Sequence, residues 1–191
     1  MFRLSVILLF LAISVPAFCQ QLMHYDLTDG LSSIEVNDIK ENDNFLWIAT
    51  SDGLNRFDGE NFRVYRRNSG QENSLSGNNI ETLYFDSGGY LWIGLKTGGV
   101  DIYDSRHDRF YQLSKLVKGQ LPGRVITICE DSDKNIWLGT GEEGVYRLIS
   151  DGAGKVSFIS EIHYPGFIVS TITEKPRGFV RFGSYSGMFL S

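Results

Sequence analysis

The chain is predicted to be all-β, built from about four antiparallel units of four strands each, and three observations predict it. Tryptophan recurs every 45 residues, as Trp47, Trp92 and Trp137, in nearly the same run each time. These runs are Leu46-Trp47-Ile48-Ala49-Thr50, Leu91-Trp92-Ile93-Gly94-Leu95 and Ile136-Trp137-Leu138-Gly139-Thr140. A glycine-bearing turn follows each run, at Gly53, Gly99 and Gly144. The composition, 42% apolar and 13% aromatic, suits a packed β-protein and not a disordered chain. A period of this length that holds four strands is the content of one β-propeller blade.

Each unit opens on Leu plus small polar residues: Leu31-Ser32-Ser33, Leu75-Ser76-Gly77, Leu121-Pro122-Gly123. An alternating, β-branched run follows (Val36 to Glu41, Ile80 to Asp86, Val125 to Asp131) and reads as a first strand. Turns rich in Asp, Asn and Gly come next, at 42–44, 87–89 and 132–135. The Trp run is then a second strand, apolar on both faces and so central in its sheet. Third strands are expected at Leu54 to Asp58, Val100 to Asp104 and Val145 to Leu148. Fourth strands are expected at Asn61 to Tyr65, Arg109 to Leu113 and Lys155 to Phe158. A weaker fourth copy follows: Ile168 to Thr173, Val180 to Gly183, with Arg181 in the Trp slot, and Gly187 to Leu190. The blades therefore span about 31–66, 75–114, 121–159 and 168–191, the last incomplete. Residues 22–27 stand where other units have a fourth strand and are expected to be an outer strand for closure. Two arrangements remain open: a ring of four blades closed by that strand, or a partial propeller cut from a larger one.

The recurring Leu-Ser opening, Trp-Ile-Gly core and downstream Gly resemble the two-component regulator propeller repeat over residues 22–190. That resemblance implies the periplasmic sensor region of a Bacteroidetes hybrid two-component histidine kinase, sensing a ligand, plausibly an oligosaccharide. Kinase and DNA-binding segments are not legible, so the chain itself is expected to be no enzyme.

Residues 1–19 read as a signal peptide: Arg3, then the apolar stretch Leu4 to Val15, then small residues at Ala17 and Cys19. The expected location is periplasmic. A lipid anchor at Cys19 is disfavoured because bulky Phe18 precedes it. Residues 20–191 then carry the repeats, and Cys129, without a partner, reads as a small buried residue. The net charge of −5 argues against nucleic acid as a ligand of this region. A membrane would be reached only through further domains.

Several motif matches fail on context. Gly139 to Gly144 fits G-x-G-x-x-G, but a strand follows where a helix is needed, and Glu142 and Glu143 would repel phosphate. Asp131-x-Asp133-x-Asn135 resembles a calcium loop but has Ile136 where the turn requires Gly. Gly183-Ser184-Tyr185-Ser186-Gly187 has Tyr185 at the nucleophile position. His24, His107 and His163 lack metal-ligand spacing. No cofactor or metal is expected.

The repeated Trp47, Trp92 and Trp137 read as packing between blades, with Gly53, Gly94, Gly99, Gly139, Gly144, Gly183 and Gly187 as structural repeat positions. Binding residues are expected where polar residues vary between units, on the face shared by the second-to-third and fourth-to-first loops. That face collects Arg66, Arg67, Asn78, Asn79, Lys96, Lys118, Arg124, Glu142, Glu143 and Tyr185. The expected partners are a small molecule or oligosaccharide, and either self-association or the remaining blades of a larger propeller. The alternative function is a non-catalytic protein-interaction module; a propeller hydrolase or lyase is weaker, because no nucleophile–base or paired-carboxylate set recurs.

Overall fold

A computed structural model describes residues 22–42, 45–150, 158–163, 165–175 and 177–190. The signal peptide expected at residues 1–19, Cys19 included, lies outside the described residues. Blade 1 comprises β1 (Val36–Asn42), β2 (Phe45–Thr50), β3 (Gly53–Phe57) and β4 (Phe62–Tyr65), hydrogen-bonded in that order. Blade 2 repeats it with β5 (Ile80–Phe85), β6 (Tyr90–Leu95), β7 (Val100–Asp104) and β8 (Arg109–Gln112). Blade 3 has β10 (Val125–Glu130), β11 (Ile136–Thr140), β12 (Val145–Ser150) and β13 (Phe158–His163), and blade 4 has β14 (Val169–Glu174), β15 (Val180–Ser184) and β16 (Gly187–Leu190). These are blades of a β-propeller.

The blades stack in chain order. Each has a leading face toward the blade before it and a trailing face toward the blade after it. The tryptophans lie on trailing faces. Trp47 is buried with Ile80, Leu83, Leu91 and Ile93 of blade 2, and Trp92 with Val125, Ile128, Ile136 and Leu138 of blade 3. Trp137 is buried with Val169, Ile172, Val180 and Phe182 of blade 4. The indole N–H groups of Trp92 and Trp137 donate to Asp86 (2.7 Å) and Asp131 (2.8 Å), which satisfies the polar atom of an otherwise apolar side chain.

Carboxylates join the blades as well. Asp38 in β1 accepts from the Leu83 amide at 2.8 Å. Glu130 accepts from the Ser87 amide and hydroxyl, at 2.9 and 2.8 Å, and Glu174 accepts from the amide and hydroxyl of Ser132 in the same way. Every first strand shifts register after its first residue, a β-bulge at the same place in all four blades.

Three elements differ from expectation. Residues 22–26 form no strand, and Leu27–Asp29 is a short 3-10 turn capped by the Asp26 side chain. Tyr25 sets its ring edge-on to Phe57 at 4.9 Å and so covers part of blade 1's leading face instead of pairing with a sheet edge. The last strand of blade 3 runs Phe158–His163, later than Lys155 to Phe158, because its pairing with β12 begins at Ser150↔Phe158; residues 155–157 lie outside the described residues. The third sheet also gains β9 (Val117–Lys118), parallel to β13, so a sheet expected to hold four antiparallel strands holds five.

Candidate functional site

The loop face is built by backbone hydrogen bonds that bind two families of loops together. The second-to-third turn of each blade donates to the connection leading into the next: Gly53 to Asn78 O (2.8 Å), Gly99 to Gly123 O (3.1 Å) and Gly144 to Phe167 O (3.0 Å). The first two of these connections also accept from their own blade's turn, Asn79 O from Lys96 (2.9 Å) and Arg124 O from Gly141 (3.3 Å). Positive backbone φ at the turn glycines, 130° at Gly53 and 89° at Gly144, is what lets these turns close.

Between blades 1 and 2 this face opens into a cleft of about 480 Å³, lined by Ser51, Arg67, Ser76, Gly77, Asn78, Asn79, Thr97 and Gly98. The lining is hydroxyls, amides, bare backbone and one guanidinium. Asn78 is oriented from both ends: its side-chain oxygen accepts from the Arg67 amide at 2.7 Å and its NH2 donates to Asp52 at 3.1 Å. A second cleft of about 400 Å³ adjoins it, lined by residues that include Gln71, Glu72, Gln112 and Lys115, and the two share Arg67 and Ser76. The intervening loop is held from within, since Asn73 accepts from the Phe110 amide at 2.7 Å and donates to Asp108 O at 3.2 Å.

Charge divides the expected residues. Arg66 is taken by Asp52 at 3.1 Å and Arg124 by Glu81 at 3.0 Å. Arg67 has no ion-pair partner among the described residues, which leaves its guanidinium available at the lip shared by both clefts. Lys96 is exposed in the turn next to Asn79, and Glu142 is exposed in the equivalent turn of blade 3. Tyr185 projects from the β15–β16 turn of blade 4, away from this cleft. Glu143 is occupied structurally, accepting from the Gly123 amide and the Tyr146 hydroxyl, both at 2.8 Å. Lys118 does not belong to the face. It pairs in β9 with Ile159, at the end of β13 that lies opposite Ser150, remote from the Gly144 turn. The long connection from blade 2 descends to the rim before it returns to Arg124.

Sequence reasoning missed Ser51, Ser76 and Thr97 as lining residues, and it missed Asp101 beneath them. Asp101 is fully buried and accepts from the Ser76 amide (2.6 Å) and hydroxyl (2.7 Å). Burial pushes its carboxyl up, and the two hydrogen bonds only partly offset this. Blade 1 fills the equivalent slot with Asn55, which accepts from the Ser32 amide (2.9 Å) and donates to its hydroxyl (2.7 Å). That pairing is the detectable signal: a polar residue in the third strand opposite the recurring Leu-Ser opening.

A prediction follows from the raised carboxyl. Below the ordinary value of 3.8 both folded and unfolded chains hold the proton. As pH rises the unfolded chain ionises first, so this group's contribution to stability declines until the folded carboxyl has also ionised. Asp101→Asn, copying Asn55, is expected to raise stability at neutral pH by about 1 kcal/mol and to flatten that decline. Denaturant melts from about pH 3 to about pH 8 check it, and an unchanged pH slope would remove Asp101 as its source.

The Asp131 carboxyl turns inward. Burial raises it, but hydrogen bonds from Asn135 and Trp137, among others, outweigh burial and hold it below the usual range. It anchors a turn and an indole. Among the described residues no group of three or more His, Cys, Asp or Glu could hold a metal ion.

Comparison with known proteins bears on the repeats and the fold. The two component regulator propeller family matches residues 74–96 and 119–142, each covering an opening that contains one Leu, a first strand and a Trp strand. Those two stretches of the chain resemble the two component regulator propeller repeat. The chain is 45% identical over 76 residues to Histidine kinase P4 of Formosa agariphila, a match covering 38% of this chain and 6% of that protein. Among solved structures it resembles the extracellular domain of the hybrid two component system BT3049 of B. thetaiotaomicron. There the TM-score is 0.73 at 23% identity, over 88% of this chain and 24% of that one. It also resembles the extracellular domain of BT4673 from the same organism, with a TM-score of 0.66 at 14% identity, over 82% of this chain and 20% of that one. The chain thus spans a small part of each relative's length. No helix among its described residues is long and apolar enough to cross a membrane.

Proposed function

We propose that this chain is a ligand-sensing propeller region of a hybrid two-component signalling protein, acting in the periplasm, and that it binds a small polar ligand of the oligosaccharide class. The observation that carries the reading is the cleft between blades 1 and 2. Its hydroxyls (Ser51, Ser76, Thr97) and side-chain amides (Asn78, Asn79) match the donors and acceptors of a polyol, and Arg67 adds one strong fork of donors. The site is polar, pre-formed and fixed by loop-to-loop hydrogen bonds, which lowers the ordering cost of binding. The names of the relatives support a role in sensing. Binding without turnover is the expected behaviour. Coupling to a kinase would pass through segments beyond those described.

Arg67→Ala is expected to weaken ligand binding about tenfold. Melting should stay unchanged, because the side chain is exposed and unpaired. The check is a thermal-shift and calorimetry screen against a panel of neutral and acidic oligosaccharides. A panel in which no member raises the melting temperature would sink the reading.

A further inference from the structure

The cleft between blades 1 and 2 does not end at the loop face. It shares Arg67 and Ser76 with its neighbour, and that neighbour shares Glu72, Gln112 and Lys115 with a third cleft of about 410 Å³. The third lies against β8, the outer strand of blade 2, and brings in Arg109 and Tyr111. One wall of the series is the connection from blade 1 to blade 2, which runs over 66–79 where that from blade 3 to blade 4 takes only 164–168. Connections of such length are either functional or disordered, and this one is ordered by its own bonds. The Ser74 hydroxyl bridges Asn68 O and Gln71 O at 3.0 Å each, and Asn73 ties the loop to β8 through the Phe110 amide.

Size and charge define what fits. A single small molecule occupies a pocket of roughly 300–1,000 Å³, so three such clefts in a row suit a chain. Their lining carries three cations, Arg67, Arg109 and Lys115, against one carboxylate, Glu72, in a protein whose net charge is −5. None of the three cations has an ion-pair partner among the described residues, unlike Arg66, held by Asp52, and Arg63, held by Asp108. A cleft lined by one sign of charge focuses its field and draws in the other sign. Half-buried Tyr111 adds the aromatic wall that the first two clefts lack, with the Arg109 guanidinium 5.6 Å from its ring centroid. His107 also lines the third cleft, its Nδ1 engaged by Asp104 at 2.7 Å.

We infer that the three clefts are one groove and that it takes an anionic oligosaccharide chain, bearing carboxylate or sulfate groups. One end of the chain lies between blades 1 and 2, and the other reaches Arg109 and Tyr111 at the outer strand. The inference rests on the sensing reading and adds the ligand's length and charge. Arg67 and Arg109 supply forks of donors for oxyanions, and Lys115, which lines both the second and third clefts, supplies a point charge between them. Calorimetry on the whole chain tests it, with uronate and sulfated oligosaccharides, short and long, each beside its methyl-esterified or desulfated neutral form. Long anionic chains are expected to bind tightest and to weaken as salt rises. Arg109→Ala and Lys115→Ala, both at exposed positions, should each weaken the long anionic chains about fivefold with melting unchanged. Short chains, seated in the first cleft, should be indifferent to both, and the series that responds tells carboxylate from sulfate. Neutral forms that bind as tightly as anionic ones overturn the inference and leave the sensing reading standing. So do long chains that respond to Arg67→Ala but not to Arg109→Ala or Lys115→Ala. Binding by no member of the panel overturns both.

Discussion

Trp92→Ala is expected to destabilise the protein by about 3–5 kcal/mol, the cost of emptying a large buried aromatic position. The ring is 2% exposed and meets Phe158 at 5.5 Å while lying against the apolar first and second strands of blade 3. Little can collapse into the space, because two sheets fix its walls. The loss also strips Asp86 of the indole N–H that it accepts at 2.7 Å, although the Tyr90 amide still donates to that carboxyl at 2.9 Å. Urea unfolding monitored by circular dichroism measures the change. A loss under about 1 kcal/mol would show that the junction relaxes and that the Trp repeat has another purpose.

Gly94→Ala is the second large effect, expected to cost about 1–3 kcal/mol through overpacking. A Cβ at Gly94 would stand 2.6 Å from the Thr82 methyl and 3.1 Å from Val125 O, a backbone atom that cannot step aside. The same collision recurs at Gly139 with Thr127 and at Gly183 with Thr171, at 2.5 Å each. Blade 1 breaks both halves of the rule at once: Asp38 replaces the threonine, and Ala49 replaces the glycine. Thr82→Ser removes the offending methyl, so Gly94→Ala with Thr82→Ser should recover part of the loss, and Val125 O sets the remainder. Equal melting of the single and double variants would show that the threonine methyl is not the obstacle.

The blades were legible because the strands repeat and because the Trp, Gly and Leu-Ser positions each answer a local requirement. The pairing of Gly94 with Thr82 was hidden, since the two are 12 residues apart and meet only through sheet register. Residues 22–27 misled for the opposite reason. Their position in the repeat suggested a strand, but a strand needs an edge to pair with, and Tyr25 found the rings of Phe57 and Phe62 instead. Lys118 misled because a two-residue strand at the rim, β9, carries no periodicity. Within the cleft, Arg67, Asn78 and Asn79 stood out as polar residues that vary between units, while Ser76 and Thr97 passed as ordinary turn residues. Which of the charged residues were already spent, as Arg66 is on Asp52, only the geometry reveals.

Three of the four hydrophobic clusters straddle two blades, so the sequence period and the packing unit are out of phase. A tandem duplication of one 45-residue stretch would copy one trailing half and one leading half together. The new join would reproduce a surface the protein already knows how to cover. Gene duplication can therefore lengthen or shorten such a chain without inventing any new contact, and the cost of a change in copy number falls on the two ends alone.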